Sequence, residues 1–287
     1  MTPIPVPADM AAVVARALAE DIGDGDLTAQ LVPADAKATA TIITREPCVL
    51  CGRPYFDEAM RQIDPATTLA WHVEEGARLE PNAKLVTLSG KARSLLTAER
   101  VGLNLLQTLS ATATATRKHV EAVRGTRAKV VDTRKTIPGL RLAQKYAVRV
   151  GGGANHRIGL FDGILIKENH IVAAGGIRPA LAAAHAAVRA SGKAGTMIQI
   201  EVETLAQLEE ALAAGATLIL LDNYTPERMA EAVRVTAGRA ELEASGGITL
   251  KNVRAVAETG VHRISIGTLT KDIDALDLSM RFIHSPK

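Results

Sequence analysis

Apolar residues recur along this chain with two different periods, and the change between them divides it. From Pro7 to about Glu20, Met10, Val13, Val14 and Leu18 return with helical spacing, and the acidic run Asp21-Ile-Gly-Asp-Gly-Asp closes that helix. The run resembles a calcium loop only in part, because Val32 holds the twelfth position where such a loop needs Glu. Strand-like runs at Thr39 to Leu50, Thr68 to Val73 and Lys84 to Ser89, separated by Gly and Pro turns, predict an antiparallel sheet with a short helix at Tyr55 to Gln62. Leu95, Leu96, Val101, Leu105, Leu106 and Leu109 then mark one side of a long helix from about Ser94 through Leu109. The small residues of the Ala-Thr run at 111–116 suit close packing or a bend and predict a hinge.

After residue 125 short apolar runs alternate with amphipathic helices. The runs are Lys129 to Val131, Gly163 to Ile166, Met197 to Val202, Thr217 to Leu221, Glu241 to Ala244 and Arg263 to Ile266. Such alternation predicts βα units and an α/β barrel of parallel strands, open or incomplete, following an N-terminal α+β domain with an antiparallel sheet. The expected division is 1–112 for the first domain, joined by the tail 271–287, and 113–270 for the barrel domain. Polar or glycine residues stand at each strand exit: Asp132 with Arg134 and Lys135, Lys167, Glu201, Asp222, Ser245-Gly246-Gly247 and Gly267-Thr268. In α/β barrels that end of the strands holds the active site.

Composition narrows the classes. Apolar residues make up 47% of the 287 but aromatics only 2%, so the core is expected to be Ala, Val, Leu and Ile, and base-stacking platforms for single-stranded nucleic acid are scarce. The net charge is +3, yet Asp132 to His170 alone has seven Lys or Arg against three acids, so the basicity is local and suits a small polyanion better than a nucleic acid. No basic leader precedes the first apolar patch, Met10 to Leu18, which Arg16 interrupts and which is too short to cross a bilayer. A cytoplasmic protein with no membrane partner is expected. Cys48 and Cys51 follow a strand-like run and read as two small residues in a sheet rather than a redox pair or half a zinc site.

Charge position separates candidates from background. Arg141, Lys145 and Arg149 are spaced four apart and read as the solvated face of a helix, whereas Arg134, Lys135 and Lys167 stand at strand exits, with His156 and Arg157 nearby in sequence. Glu201 and Asp222 could bind ribose hydroxyls, hold Mg²⁺ directly or through water, or salt-bridge to a neighbouring Lys. The glycines of Ser245-Gly-Gly-Ile-Thr and Ile266-Gly-Thr-Leu-Thr either turn strand into helix or admit a phosphate, and two such loops side by side favour phosphate.

Longer motifs carry a resemblance. Asp132-Thr-Arg-Lys-Thr-Ile-Pro-Gly-Leu-Arg, Lys145-Tyr-Ala-Val with Gly151-Gly-Gly-Ala-Asn-His-Arg, Leu160-Phe-Asp-Gly-Ile-Leu-Ile-Lys-Glu-Asn-His, Ile200-Glu-Val-Glu-Thr, Leu221-Asp-Asn and Glu243-Ala-Ser-Gly-Gly-Ile resemble the quinolinate phosphoribosyltransferases, the carboxylating nicotinate-nucleotide pyrophosphorylases. Asp21-Ile-Gly-Asp-Gly-Asp-Leu-Thr and Glu99-Arg-Val-Gly-Leu-Asn-Leu-Leu are similar to the same family, so the likeness spans nearly the whole chain. It implies transfer of phosphoribose from 5-phosphoribosyl-1-pyrophosphate to quinolinate with loss of CO₂, with Mg²⁺, on the de novo route to NAD. By resemblance Arg134, His156, Arg157 and Lys167 grip the two carboxylates of quinolinate, and Arg100 reaches into a neighbouring subunit's site, which makes a dimer or hexamer the working form. Lys135 matches a lysine near the pyrophosphate and anomeric carbon, and Glu201 and Asp222 match carboxylates near ribose and metal. Ser245, Gly246 and Gly247 with Gly267 match the 5′-phosphate loops. Lys271 stands where the family often shows His, and either residue can donate to a phosphate oxygen.

Overall fold

Alternate residues Ala40, Ile42 and Thr44 of β1 (Lys37–Thr44) are buried in the computed structural model, which describes residues 4–283. That alternation is what a sheet with one face on a core requires. The chain divides into two compact units: Met1–Arg117 with Ile137–Gly152 and Asp272–Lys287, and Lys118–Thr136 with Gly153–Lys271. Residues 284–287 of the tail expected to join the first domain lie outside the described residues.

In the first unit β1 is followed by β2 (Cys48–Val49), β3 (Thr68–Trp71), β4 (Arg78–Leu79) and β5 (Lys84–Lys91). β1 pairs with β5 on one side and with the last strand, Leu278–Phe282, on the other, and β3 pairs with β5, all antiparallel. The single run expected over Thr39 to Leu50 is broken in two. Pro47 has no N–H for a ladder, and the Thr44 hydroxyl donates to the Glu46 carbonyl at 2.7 Å, so the chain turns between β1 and β2. Cys48 and Cys51 are buried free thiols, both with pKa raised by burial.

Helices α1 (Met10–Ile22), α2 (Arg53–Ile63), α3 (Ala92–Ala122) and α4 (Arg141–Val150) complete this unit, α3 continuing into the second. The start of α2 is capped from a distance: Glu75 accepts from the Gly52 and Arg53 N–H groups at 2.8 and 3.2 Å and from the Tyr146 hydroxyl at 2.9 Å. The Ala-Thr run does not end the long helix as a hinge would. Thr112 and Thr116 donate back to the carbonyls of Thr108 and Thr112, while Ser110 and Thr114 accept the Cys51 and Val49 N–H groups. Small polar side chains there satisfy the neighbouring strand's backbone, a demand invisible to local periodicity. Lys145 also departs from its reading as a solvated residue, being only 3% exposed. α4 is buried continuously from Ala143 to Val148, so four-residue spacing did not identify a water-facing side.

The second unit is a six-stranded parallel sheet built from β6 (Lys129–Val131), β7 (Gly163–Ile166), β8 (Met197–Val202), β9 (Leu218–Asp222), β10 (Glu241–Ser245) and β11 (Arg263–Ser265). Its order is β6-β11-β10-β9-β8-β7, so the first strand pairs with the last. β6 and β7 share no ladder, and the barrel is open there, with a lone parallel bridge between Val131 and Ala154. Helices α5 (Glu168–Ala174), α6 (Ile177–Ser191), α7 (Leu205–Ala213), α8 (Pro226–Thr236), α9 (Val253–Glu258) and α10 (Thr268–Lys271) follow the strands in turn. Thr204 and Gln207 form a capping box at α7, and Thr225 before Pro226 caps α8. Parallel strands point all their carboxyl ends one way, which gathers the exits at one mouth.

Candidate active site

That mouth holds a cavity of about 660 Å³, a size suited to small-molecule ligands. It gathers residues from the ends of all six strands, and five Lys or Arg and three carboxylates are among its lining.

The cationic side comes from the exits of β6 and β7. Asp132, fully buried at the end of β6, accepts from the His156 N–H at 2.9 Å and from Asn155 Nδ2 at 2.6 Å, which ties the 155–157 loop to the 132–136 loop. Asp162 in turn accepts from the Ile158 and Gly159 N–H groups, both at 2.8 Å. These anchors bring Arg157 beside Arg134. The Arg157 pKa is lowered first by burial and then by the Arg134 charge. Two guanidiniums held together by the backbone form a site that an anion stabilises.

Lys135 lies along the other flank. Its N–H donates to Thr133 Oγ1 at 3.0 Å and its carbonyl accepts the Thr270 hydroxyl at 2.8 Å. A Cβ at position 267 would come 3.0 Å from Lys135 Cδ, so Gly267 leaves the lysine stem its path. Gly246 and Gly247, with φ of +99° and +58°, turn the chain after β10 as few other residues could. Lys271, at the end of α10, lines the same side.

The acidic side is Glu201 on β8 and Asp222 on β9. Glu201 Oε2 accepts from Lys167 Nζ at 2.9 Å, so one of the three readings of these acids, the salt bridge, is present for Glu201. The Asp222 carboxyl is pushed above the usual range, chiefly by burial and next by the Glu201 charge, with Lys167 and Lys135 opposing. A carboxyl raised in this way stabilises the fold only below its ordinary titration range, and that contribution is lost as pH rises through the raised value. Ionised Asp222 therefore works against folding at neutral pH. Asp222→Asn is expected to melt at a higher temperature than the parent at pH 7 without divalent cation, with the gain lost as the pH falls through and below the ordinary carboxyl range. A variant that melts at or below the parent at pH 7 would contradict this electrostatic picture.

All the sequence candidates from Arg134 to Lys271 line this cavity, whereas Arg100 lies exposed on α3 of the first unit. The structure adds residues that sequence reading passed over. Gln199 and Glu243 are fully buried, and His156 sits between them with Nε2 at 2.7 Å from Gln199 Oε1 and 3.7 Å from Glu243 Oε1. His156 Nδ1 accepts the Arg157 N–H at 2.7 Å, so the ring proton belongs on Nε2. A signal for both existed: Gln199 precedes Glu201, and Glu243 precedes Ser245, by two residues, which in a strand means the same face. Asn223 also lines the cavity and donates to Asp222 Oδ2 at 2.7 Å.

An open parallel α/β barrel with a cationic wall, a carboxylate pair and two glycine turns at its carboxyl mouth defines the architecture of an α/β-barrel enzyme. The profile of the quinolinate phosphoribosyl transferase N-terminal domain matches residues 26–110 and that of the C-terminal domain residues 112–281, so the chain belongs to that family. It is 44% identical over 277 residues to a carboxylating nicotinate-nucleotide pyrophosphorylase of Mycobacterium leprae, covering 93% of this chain and 95% of the relative. A decarboxylating quinolinate phosphoribosyltransferase of Nicotiana tabacum is 37% identical over 290 residues, 95% of this chain and 82% of its own length. Among solved structures, nicotinate-nucleotide pyrophosphorylase from Francisella tularensis superposes with a TM-score of 0.92 at 46% identity over 98% of both chains.

Proposed function

We propose that this chain transfers the phosphoribosyl group of 5-phosphoribosyl-1-pyrophosphate to quinolinate with decarboxylation, giving nicotinate mononucleotide, pyrophosphate and CO₂ for de novo NAD biosynthesis. Family membership supports the reaction, and the observation that carries it at the site is that the Arg134–Arg157 pair and the Glu201 and Asp222 carboxylates line one cavity. A dicarboxylate suits the cationic wall. Arg134, Arg157 and Lys167 grip its two carboxylates, and the Lys167 ammonium has donors to share between substrate and Glu201. A neutral base would leave those charges unmatched. His156 completes the wall, held in one tautomer by Arg157 and Gln199.

Ser245, Gly246, Gly247 and Gly267 take the 5′-phosphate, with Lys271 as a further donor. Glu201 and Asp222 face the ribose, and Lys135 faces the pyrophosphate. The carboxylate pair also fits Mg²⁺, because Asp222 is short of compensating charge and Mg²⁺ is held by one or two carboxylates together with substrate phosphates. Bound there, directly or through water, Mg²⁺ supplies neutralisation of the pyrophosphate charge. The pyridine nitrogen forms a bond to the anomeric carbon as the bond to pyrophosphate breaks, and Lys135 stabilises the departing anion. Glu201 and Asp222 stabilise the positive charge that develops on the ribose. The bond from the ring to the 2-carboxylate then breaks, its electron pair passing into the cationic ring, CO₂ departs and the ring carbon takes a proton. The protein's task is orientation and electrostatics.

Incubation with quinolinate, 5-phosphoribosyl-1-pyrophosphate and Mg²⁺ is expected to yield nicotinate mononucleotide and CO₂ in equal amounts, and excess chelator to stop it. Turnover without CO₂, or none at all, would refute the proposal. The exposed position of Arg100 on α3 and its absence from the cavity lining support its insertion into a second subunit's site, hence a homodimer as the minimum active unit, extendable to a hexamer. No single helix among the described residues is long and apolar enough to cross a membrane; a cytoplasmic location is part of the same proposal.

A further inference from the structure

Asn223 has a left-handed backbone, φ +56°, immediately after Asp222. Asn tolerates that conformation better than most residues, so the turn alone could account for its presence. Its contacts show a second role. Asn223 Nδ2 donates to Asp222 Oδ2 at 2.7 Å, and its N–H donates to the Ser245 carbonyl at 3.0 Å on the next strand. Its side chain lies over Gly246: a Cβ there would run into Asn223 Oδ1 and stand only 2.8 Å from Cγ. Asn223 thus joins the exit that carries Asp222 to the glycine turn after β10.

We propose that Asn223 is a positioning residue for Asp222, fixing which carboxylate oxygen faces the ribose, and that residue 246 is glycine partly to admit it. This rests on the assignment of Asp222 to the ribose side of the site. An amide is the donor chemistry the place demands. A Lys or Arg would neutralise Asp222 and compete with the cationic partner it serves, and a second carboxylate would repel it. Asn223 occupies Oδ2 without adding charge and leaves Oδ1 to the substrate side. The left-handed backbone points the amide back at its own neighbour, which an extended residue could not do.

The test is Asn223→Gly, assayed beside the wild type. Glycine is at ease at positive φ, so this variant keeps the turn and is expected to stay folded with a melting temperature close to the parent's. Its kcat for nicotinate mononucleotide formation is expected to fall about tenfold or more, with KM for quinolinate nearly unchanged because the cationic wall is untouched. Asn223→Asp keeps the size and turn tendency but replaces the donor by an acceptor, and should lose more. Packing is read separately from activity: Gly246→Ala should lower the melting temperature more in the wild type than in the Asn223→Gly background, since the side-chain clash is then gone and only the residue 223 N–H at 3.0 Å and the positive φ remain. Turnover by Asn223→Gly within about twofold of wild type, or equal losses from Gly246→Ala in both backgrounds, would overturn the inference. A wild type that forms no product would instead sink the functional assignment.

Discussion

Lys135→Ala is expected to lower kcat by about two to three orders of magnitude, the scale seen when a preorganised electrostatic donor is removed from an active site. The lysine's backbone is held at two points, by the Thr133 hydroxyl under its N–H and the Thr270 hydroxyl on its carbonyl, and Gly267 leaves its stem a path along the cavity wall. Its ammonium is thereby carried at the mouth where charge grows as pyrophosphate departs. Because that charge exists in the transition state and not on bound quinolinate, the loss should fall on kcat and leave KM for quinolinate close to the parental value. Lys135→Arg keeps the charge but exchanges a compact ammonium for a planar fork, so partial activity is expected. Steady-state formation of nicotinate mononucleotide measures all three proteins. An alanine variant within about tenfold of wild type would remove Lys135 from the proposed mechanism.

Asp132→Ala is the second large effect, and it reaches the site through the fold. Asp132 is fully buried and holds the His156 N–H and the Asn155 side chain. Removing the carboxylate leaves the buried His156 N–H without this acceptor, at about 1–3 kcal/mol, and frees the exposed Asn155 amide to water, so a loss of about 2 kcal/mol and a drop in Tm of about 4–8 °C are expected. The 155–157 loop would then no longer hold Arg157 beside Arg134, and KM for quinolinate should rise more than about tenfold. Asp132→Asn, which keeps one acceptor, should fall between. Thermal melting and the KM measurement together decide it; an alanine variant that melts with the parent would show that the loop is held by other means.

These two residues also show how far the sequence could be read. Lys135 was recognisable because a charged residue just beyond a short apolar run stands at a strand exit whatever the neighbouring strands are. Asp132 was visible only as the first letter of a motif. Its work depends on the 155–157 loop returning to the end of β6, which neither period nor charge reveals. The Ala-Thr run misled for a related reason: small residues favour a hinge when judged locally, but here Ser110 and Thr114 serve the backbone of Cys51 and Val49. Lys145 misled because helical spacing says which residues share a face and not whether that face meets water.

The sequence by itself determined the two periodicities, the parallel α/β class, the residues at the strand exits and, through its long motifs, the family. Those properties are local, set by which side chains neighbour one another along a strand or helix. Tertiary structure alone decided the pairing of β6 with β11, which puts Ser265 opposite Val131 and so brings Gly267 against Lys135. It also decided the buried His156–Gln199–Glu243 group and the packing of Asn223 on Gly246. Each of these joins residues that are distant in the chain or on different strands, and only the register of the assembled sheet fixes their approach.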